Sequence, residues 1–244
     1  MIKVIEQINW ENSAMPLTLA NNNVHIWHGS YESTSFDFSY FFHILSSEEK
    51  SRTFQYKFEL DRKRFIMRRA AIRLVFSKYI NEAPQFLEFQ TDKLGRRSLV
   101  QKSKKNQLFF SSSHSENTFT LAIFHSPIIG IDIEFMRPLD YAASLESLFA
   151  SSIKDFNLIP GINKLEFYKI WTTLEAYLKS IGTGFLCPFD QEFWNGFPVD
   201  LNSWKITNPK WTIIQFVIEK EALATLMLEA PSITPLFYDI SIIV

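Results

Sequence analysis

Alternating and continuous hydrophobic runs along the chain mark strands, and apolar positions three and four apart mark helices. Val24 to His28 alternates around Val, Ile and Trp after the turn signal Asn21-Asn22-Asn23, and predicts a first strand. Phe36 to Leu45 is aromatic-rich and reads as either a helix or irregular packing. Ser46-Ser47-Glu48-Glu49 has the form of a helix start, with serine as cap and acids in the first turn; Lys50, Arg52 and Lys57 follow on that helix. Asp61 is expected to cap a longer helix to about Tyr79, whose core face carries Ile66, Ala70 and Leu74 beside Met67, Ala71 and Val75. Arg62, Arg69 and Arg73 share another face, flanked by Arg64 and Arg68, a guanidinium stripe suited to phosphate oxygens.

Phe86 to Gln90 predicts a short strand, and Lys93 to Arg97 a turn carrying Arg96 and Arg97. Leu108 to Ser113 and Phe119 to Phe124 predict two strands of a hairpin, joined through His114 to Asn117. Ser126-Pro127 is the best internal boundary and divides the chain into halves of residues 1–126 and 127–244. Ile128 to Phe135 then reads as a buried strand. Leu139 to Ala150 and Ser151 to Leu158 predict helices, stopped by Pro160-Gly161. Asn163 caps a long helix to about Ile181, ended by Gly182-Thr183-Gly184. The remainder is β-rich, with strands expected at Phe189 to Trp194, Trp211 to Ile218, Leu223 to Leu228 and Leu236 to Val244, and shows no pattern that points to chemistry.

Composition narrows the class. A chain of 244 residues with 46% hydrophobic and 21% charged content suits one large or two small globular domains. With 7 glycines it has no Gly-rich phosphate loop, and neither a Rossmann nor a Walker fingerprint occurs. The single cysteine, Cys187, excludes an intrachain disulfide and a cysteine-based zinc cage; its expected role is packing. No stretch reaches the ~18 apolar residues of a spanning helix, so no membrane partner and a cytoplasmic location are expected. The net charge of −1 conceals a division: residues 46–105 hold 16 Lys+Arg against 7 Asp+Glu, leaving 9 against 19 elsewhere. Such a segment suits a polyanionic ligand. Nucleic acid is a rival partner, but no helix-turn-helix, zinc-finger or RNA-recognition signature is present.

The densest chemistry lies in Gly130-Ile131-Asp132-Ile133-Glu134. On a strand Asp132 and Glu134 share one face, opposite Ile131 and Ile133. Two such acids call for a protonated partner, a cationic neighbour or a bound metal. Gly130 would let another backbone or a ligand come close. The plain alternative is an edge strand with a solvated polar face. Trp171, Glu175 and Lys179 are spaced i, i+4, i+8 on the long helix; the plain alternative there is a surface Glu–Lys pair beside a half-buried Trp. His114 stands where a strand ends.

The order Ser-Ser-His114-Ser, then Gly130-Ile-Asp132-Ile-Glu134, then Trp171-Thr-Thr-Leu-Glu175-Ala-Tyr-Leu-Lys179 resembles the 4′-phosphopantetheinyl transferases of the surfactin-synthetase-activating type. The likeness extends upstream to the basic helices and the Gly95-Arg96 turn, and so runs from about Val24 to Pro188. It implies an α+β monomer of two similar halves in pseudo-twofold arrangement, each a small antiparallel sheet packed on a long helix, with the ligand between them. It also implies a magnesium-dependent transfer of the phosphopantetheine arm of coenzyme A to a serine of an apo acyl or peptidyl carrier protein, releasing 3′,5′-ADP. Carried over by position, Asp132, Glu134 and Glu175 correspond to the magnesium carboxylates, with Glu175 also the proton acceptor. His114, Ser113, Arg52, Arg64 and Arg96 correspond to coenzyme A contacts, and Lys179 to a lysine near the pyrophosphate. The chain departs from the family at Glu49, where relatives often carry a basic residue, and at Leu174, where the family's Trp-x-x-Lys-Glu motif has lysine. A helix places residue 174 at the edge of the cleft, turned about 100° from Glu175. The alternative reading is a coenzyme A-binding relative with weak turnover.

Overall fold

A computed structural model describes residues 2–11, 17–32, 37–103, 105–149, 162–184, 195–200, 205–218 and 221–242. The helix expected over Ser151 to Leu158, the strand over Phe189 to Trp194, and Cys187 lie outside the described residues. Strands β1 (Lys3–Ile5) and β2 (Asn23–Ser30) are followed by short helices α1 (Phe38–Ile44) and α2 (Ser47–Thr53). Helix α2 begins in a capping box, in which Ser46 Oγ accepts from Glu49 N and Glu49 Oε2 accepts from Ser46 N. It ends at Thr53, so Lys57 lies beyond it, in the bend before α3 (Glu59–Ile80). Asp61 is not the cap of α3. Phe58 occupies that position without a side-chain hydrogen bond, and Asp61 sits in the first turn, where an acid complements the helix dipole.

The expected core face of α3 is buried, and burial extends to Phe65, Ile72, Arg73 and Phe76 because α1 covers one side of the helix and a sheet another. Arg73 is therefore absent from the guanidinium stripe. It is 1% exposed, its Nε donates to Glu49 Oε2 at 2.7 Å, and its Nη1 donates to the carbonyls of Pro84 and Leu87.

Phe86 to Gln90 is not one strand. Pro84–Phe86 forms a 3-10 turn, and β3 (Phe89–Thr91) pairs with β4 (Arg97–Leu99) across a tight turn. Asp92 closes that turn by accepting from Leu94 N and Arg96 N, and Gly95 takes φ +86°, which a side chain would resist. The hairpin is β5 (Phe109–Ser115) and β6 (Thr118–Phe124), so His114 lies within a strand and not in a loop. Then come β7 (Ile129–Phe135), α4 (Tyr141–Phe149) and α5 (Lys164–Ile181). An Asn163–Glu166 capping box starts α5, and Gly182 ends it in the left-handed region. The short β8 (Val199–Asp200) and β9 (Lys205–Ile206) precede β10 (Trp211–Ile218), β11 (Ala222–Glu229) and β12 (Thr234–Asp239). The last strand is shorter than the sequence suggests, since the chain turns into a 3-10 segment at Ile240.

These elements build an α+β fold with two four-stranded sheets, ordered β12-β2-β6-β5 and β1-β10-β11-β7. Both halves run strand, long helix, hairpin, and in both the first strand pairs antiparallel with the last: β2 with β6, β7 with β11. The outermost strands cross over: β1 lies parallel to β10 in the second sheet and β12 parallel to β2 in the first. Helix α3 packs on the first sheet and α5 on the second. A third apolar core forms between the sheets, where Ile129, Ile131 and Ile133 meet Val24, Ile26 and Ala122.

Candidate active site

Strand β7 carries the site because its two faces do different work. The isoleucines fill the core between the sheets, while Gly130, Asp132 and Glu134 face α5. The helix comes close only because residue 130 lacks a side chain: a Cβ there would fall 1.9 Å from Ala176 O. That approach brings Glu175 and Lys179 over the acids. β7 is an edge strand of its sheet, yet Asp132 is 1% exposed, so the reading of a solvated polar face fails.

Asp132 Oδ1 accepts from Lys179 Nζ at 2.5 Å and from Ser113 Oγ at 2.8 Å; Lys179 Nζ also donates to Ser113 Oγ at 2.9 Å and lies 3.5 Å from Glu175 Oε2. Glu134 Oε2 accepts from Ser115 Oγ at 2.8 Å. Asp132, Glu134 and Glu175 offer oxygens that all lie within 4.8 Å of one another. Burial and the Asp132 charge push the Glu175 carboxyl up to about 8, and the same two causes raise Glu134. Burial disfavours the Lys179 ammonium, but Asp132 and Glu175 outweigh it and hold its pKa above the ordinary value. One cation thus faces three carboxylates, and Asp132 Oδ2 is buried with no protein partner. Hard, clustered oxygens with an orphaned acceptor fit a divalent cation such as magnesium.

Beside the carboxylates opens a cleft of about 300 Å³ lined by Arg68, Arg69, Arg96, Ser113, His114 and Lys179. Arg96 reaches it from the β3–β4 turn and is anchored by donating to Ser180 O at 3.3 Å and to Pro127 O. Burial, Arg68 and Lys179 lower the His114 pKa to about 4, so its imidazole is neutral at neutral pH. Burial, with Arg97 and Arg68 nearby, lowers Arg69 to about 9. Arg64 lies in an adjoining concavity that also touches His114 and Arg68, and donates to Asn117 Oδ1 at 2.5 Å. Arg52 is farther off. It stacks over the Phe65 ring and lines a separate concavity of about 560 Å³ that shares Arg69 and Arg97 with the cleft.

Sequence reasoning placed Arg68 and Arg69 on a stripe without assigning them to the site; only the packing of α3 against β5 and the Arg96 turn brings them there. It also found nothing in the last strands, yet Thr225 and Gln215 stand opposite Asp132 along one row of the second sheet. Beneath α5 they bond to Thr172 and Thr173, at 2.7 Å for Thr225–Thr172 and 3.2 Å for Gln215–Thr173, which fixes the helix that carries Glu175. No local pattern reveals this, because each of those residues is an ordinary strand or helix position.

Residues 29–125 match the family model of the N-terminal region of 4′-phosphopantetheinyl transferases, and residues 128–225 match that of the 4′-phosphopantetheinyl transferase superfamily. The chain belongs to the 4′-phosphopantetheinyl transferase family. Among curated relatives, the 4′-phosphopantetheinyl transferase HetI of Nostoc sp. is 27% identical over 95% of this chain and 98% of its own length. A phosphopantetheinyl transferase of Thraustochytrium sp. is 27% identical over 57% of this chain and 53% of its own length. The 4′-phosphopantetheinyl transferase psf-1 of Bacillus pumilus is 25% identical over 58% and 59%. As a member of this transferase family the chain is an enzyme of group transfer. No described helix is long and apolar enough to cross a membrane.

Both departures from the family pattern have structural roles. Leu174 is not at the cleft edge; it is 1% exposed in the core that α5 forms on the second sheet. Glu49 is 7% exposed and holds Arg73 and Arg97 with one oxygen each, at 2.7 Å. Burial works against the charged form of Glu49, but Arg73, the Ser46 amide and Arg97 outweigh it and hold the carboxyl below its ordinary value.

Proposed function

We propose that this transferase moves the 4′-phosphopantetheine arm of coenzyme A onto a serine hydroxyl of an apo acyl or peptidyl carrier protein, with magnesium, and releases 3′,5′-ADP. The observation that carries the reading is the cluster of three carboxylates, with the orphaned Asp132 Oδ2, beside an arginine-lined cleft. Asp132, Glu134 and Glu175 would hold the cation. A bound magnesium ion would supply charge stabilisation at the pyrophosphate.

The chain's own residues do the rest. Arg96 and neutral His114 hold phosphate oxygens by donated hydrogen bonds, with Ser113 beside them in the cleft and Arg64 and Arg52 reaching the more distant parts of the nucleotide. Lys179 offers a fixed ammonium to the bridging pyrophosphate and to the charge that grows on the leaving nucleotide. Glu175, once ionised, accepts the proton of the attacking serine hydroxyl directly or through a water. The carrier oxygen forms its bond to the phosphorus that bears the pantetheine arm, and the bond to the departing ADP oxygen breaks. Two halves, 1–126 and 127–244, related by pseudo-twofold symmetry, would present the phosphate contacts and the carboxylates from opposite sides of the cleft.

The reading of a weakly active coenzyme A binder rests on Leu174, and the burial of that residue in the core, away from the cleft, favours the transferase reading. The test is transfer of a labelled arm from coenzyme A to a panel of apo carriers. Magnesium-dependent labelling of a carrier serine is expected; binding of coenzyme A without labelling of any carrier would overturn the proposal.

A further inference from the structure

Where the two sheets meet, edge strand β5 lies against edge strand β7, and among the described residues no backbone ladder joins them. Serine hydroxyls join them instead. Ser111, Ser113 and Ser115 alternate along β5 on one face. Ser111 Oγ accepts from Ile131 N at 3.1 Å, Ser113 Oγ donates to Asp132 Oδ1, and Ser115 Oγ accepts from Phe135 N at 3.0 Å.

Ser115 differs from Ser111 in one respect. An amide can only donate, so Ser115 Oγ must be the acceptor toward Phe135, and its single proton is left for Glu134 Oε2, 2.8 Å away. The two bonds fix the hydroxyl in both senses. The Trp171 side chain gives Glu134 its other side-chain hydrogen bond, from α5. Glu134 is thus gripped from β5 and from α5 with neutral donors, which orient a carboxylate without supplying a competing positive charge.

We infer that Ser115 is a positioning residue for the divalent cation: through Glu134 it sets the carboxylate cluster from the same strand that carries His114, tying the phosphate side of the site to the metal side. The inference rests on the metal reading given above. Partners that orient metal carboxylates typically change metal affinity by about 10–100-fold when removed.

The test is direct Mn²⁺ binding to the free protein, followed by electron paramagnetic resonance of unbound Mn²⁺, on wild type, Ser115→Ala, Ser115→Thr and Ser111→Ala. Ser115→Ala should weaken Mn²⁺ binding about tenfold or more, and Ser115→Thr, which keeps the hydroxyl on a strand-compatible side chain, should restore it. Ser111→Ala loses the same kind of amide cap on β7 and should lower the melting temperature without changing the Mn²⁺ dissociation constant. Equal Mn²⁺ affinity in wild type and Ser115→Ala would overturn the inference, as would equal weakening in Ser111→Ala, which would mark the seam as merely structural. A wild type that binds no Mn²⁺ would instead overturn the metal reading, and the inference with it.

Discussion

Gly130 lies directly beneath Ala176, so close that a β carbon on the strand would stand 1.9 Å from the helix carbonyl oxygen and 2.6 Å from Ser180 N. The obstacle is backbone, which cannot rotate aside. Gly130→Ala must lift α5 from β7 and carry Glu175 and Lys179 with it. A displacement of about 1 Å at reacting groups typically lowers rate on the order of 100-fold. Gly130→Ala should therefore lose about that much kcat/KM, with overpacking lowering stability by about 1–3 kcal/mol. Wild-type turnover at an unchanged melting temperature would show that the helix has room the geometry denies.

Asp132→Ala should abolish transfer. It removes a proposed cation ligand and the acceptor that holds Lys179, and the loss should reach several kcal/mol of transition-state stabilisation, with each ~1.4 kcal/mol a factor of ten. The check is carrier labelling with excess magnesium. Near-normal activity of the variant, or full wild-type activity in excess chelator, would sink the metal assignment.

Leu174→Lys should destabilise the protein. A lysine at this core position would bury an unpaired ammonium, a change on the order of 3 kcal/mol or more. Leu174→Met, similar in volume and apolar, should stay within about 1.5 kcal/mol of wild type. Chemical denaturation of both variants decides it. A Lys variant as stable as wild type would mean the side chain escapes to the cleft after all.

Glu49→Ala should be more harmful than its place on a short surface helix suggests. It leaves Arg73, 1% exposed, with carbonyl acceptors but no opposite charge, and takes a partner from Arg97. Removing one member of such a buried pair typically destabilises by about 3–5 kcal/mol. A shift in the denaturation midpoint equivalent to less than about 1 kcal/mol would contradict the network.

The metal-free protein should be most stable near pH 7, because three histidines outweigh one glutamate until the unfolded histidines have lost most of their protons. Glu175 rises from 4.5 to about 8 on folding, so its contribution is complete below pH 4.5 and is lost as pH climbs to about 8. His25, His28 and His114 fall from 6.5 to about 4, chiefly through burial, so theirs is complete above pH 6.5 and is lost as pH falls toward 4. Magnesium must displace the Glu175 proton, and therefore should raise the melting temperature more at pH 8 than at pH 6. Thermal melts across this range with and without the ion test both statements; a magnesium effect independent of pH would refute the second.

Much of the site was legible because it rests on short-range order. Alternation put Asp132 and Glu134 on one face, helical spacing put Glu175 and Lys179 on another, and Asn163 and Gly182 bounded α5 by their capping chemistry. The misreadings share a physical cause. Arg73 reads as solvent-facing and Leu174 as a cleft residue because periodicity orders the faces of one helix without saying how many layers cover it. α3 is covered on two sides, and a charged side chain inside it becomes tenable through Glu49, 24 positions away in sequence, and the carbonyls of Pro84 and Leu87. The serine seam was equally hidden, since a hydroxyl that replaces a strand ladder looks in sequence like any polar strand position.

The exchange of edge strands has a mechanical meaning. β1 completes the sheet built by the second half and β12 completes the sheet built by the first, so the chain laces its halves together at both ends. Neither half can melt without stripping a strand from the other and opening a raw edge. Prying the halves apart would also break the serine contacts at the carboxylates. The width of the cleft is thus tied to the pairing of strands from the two far ends of the chain.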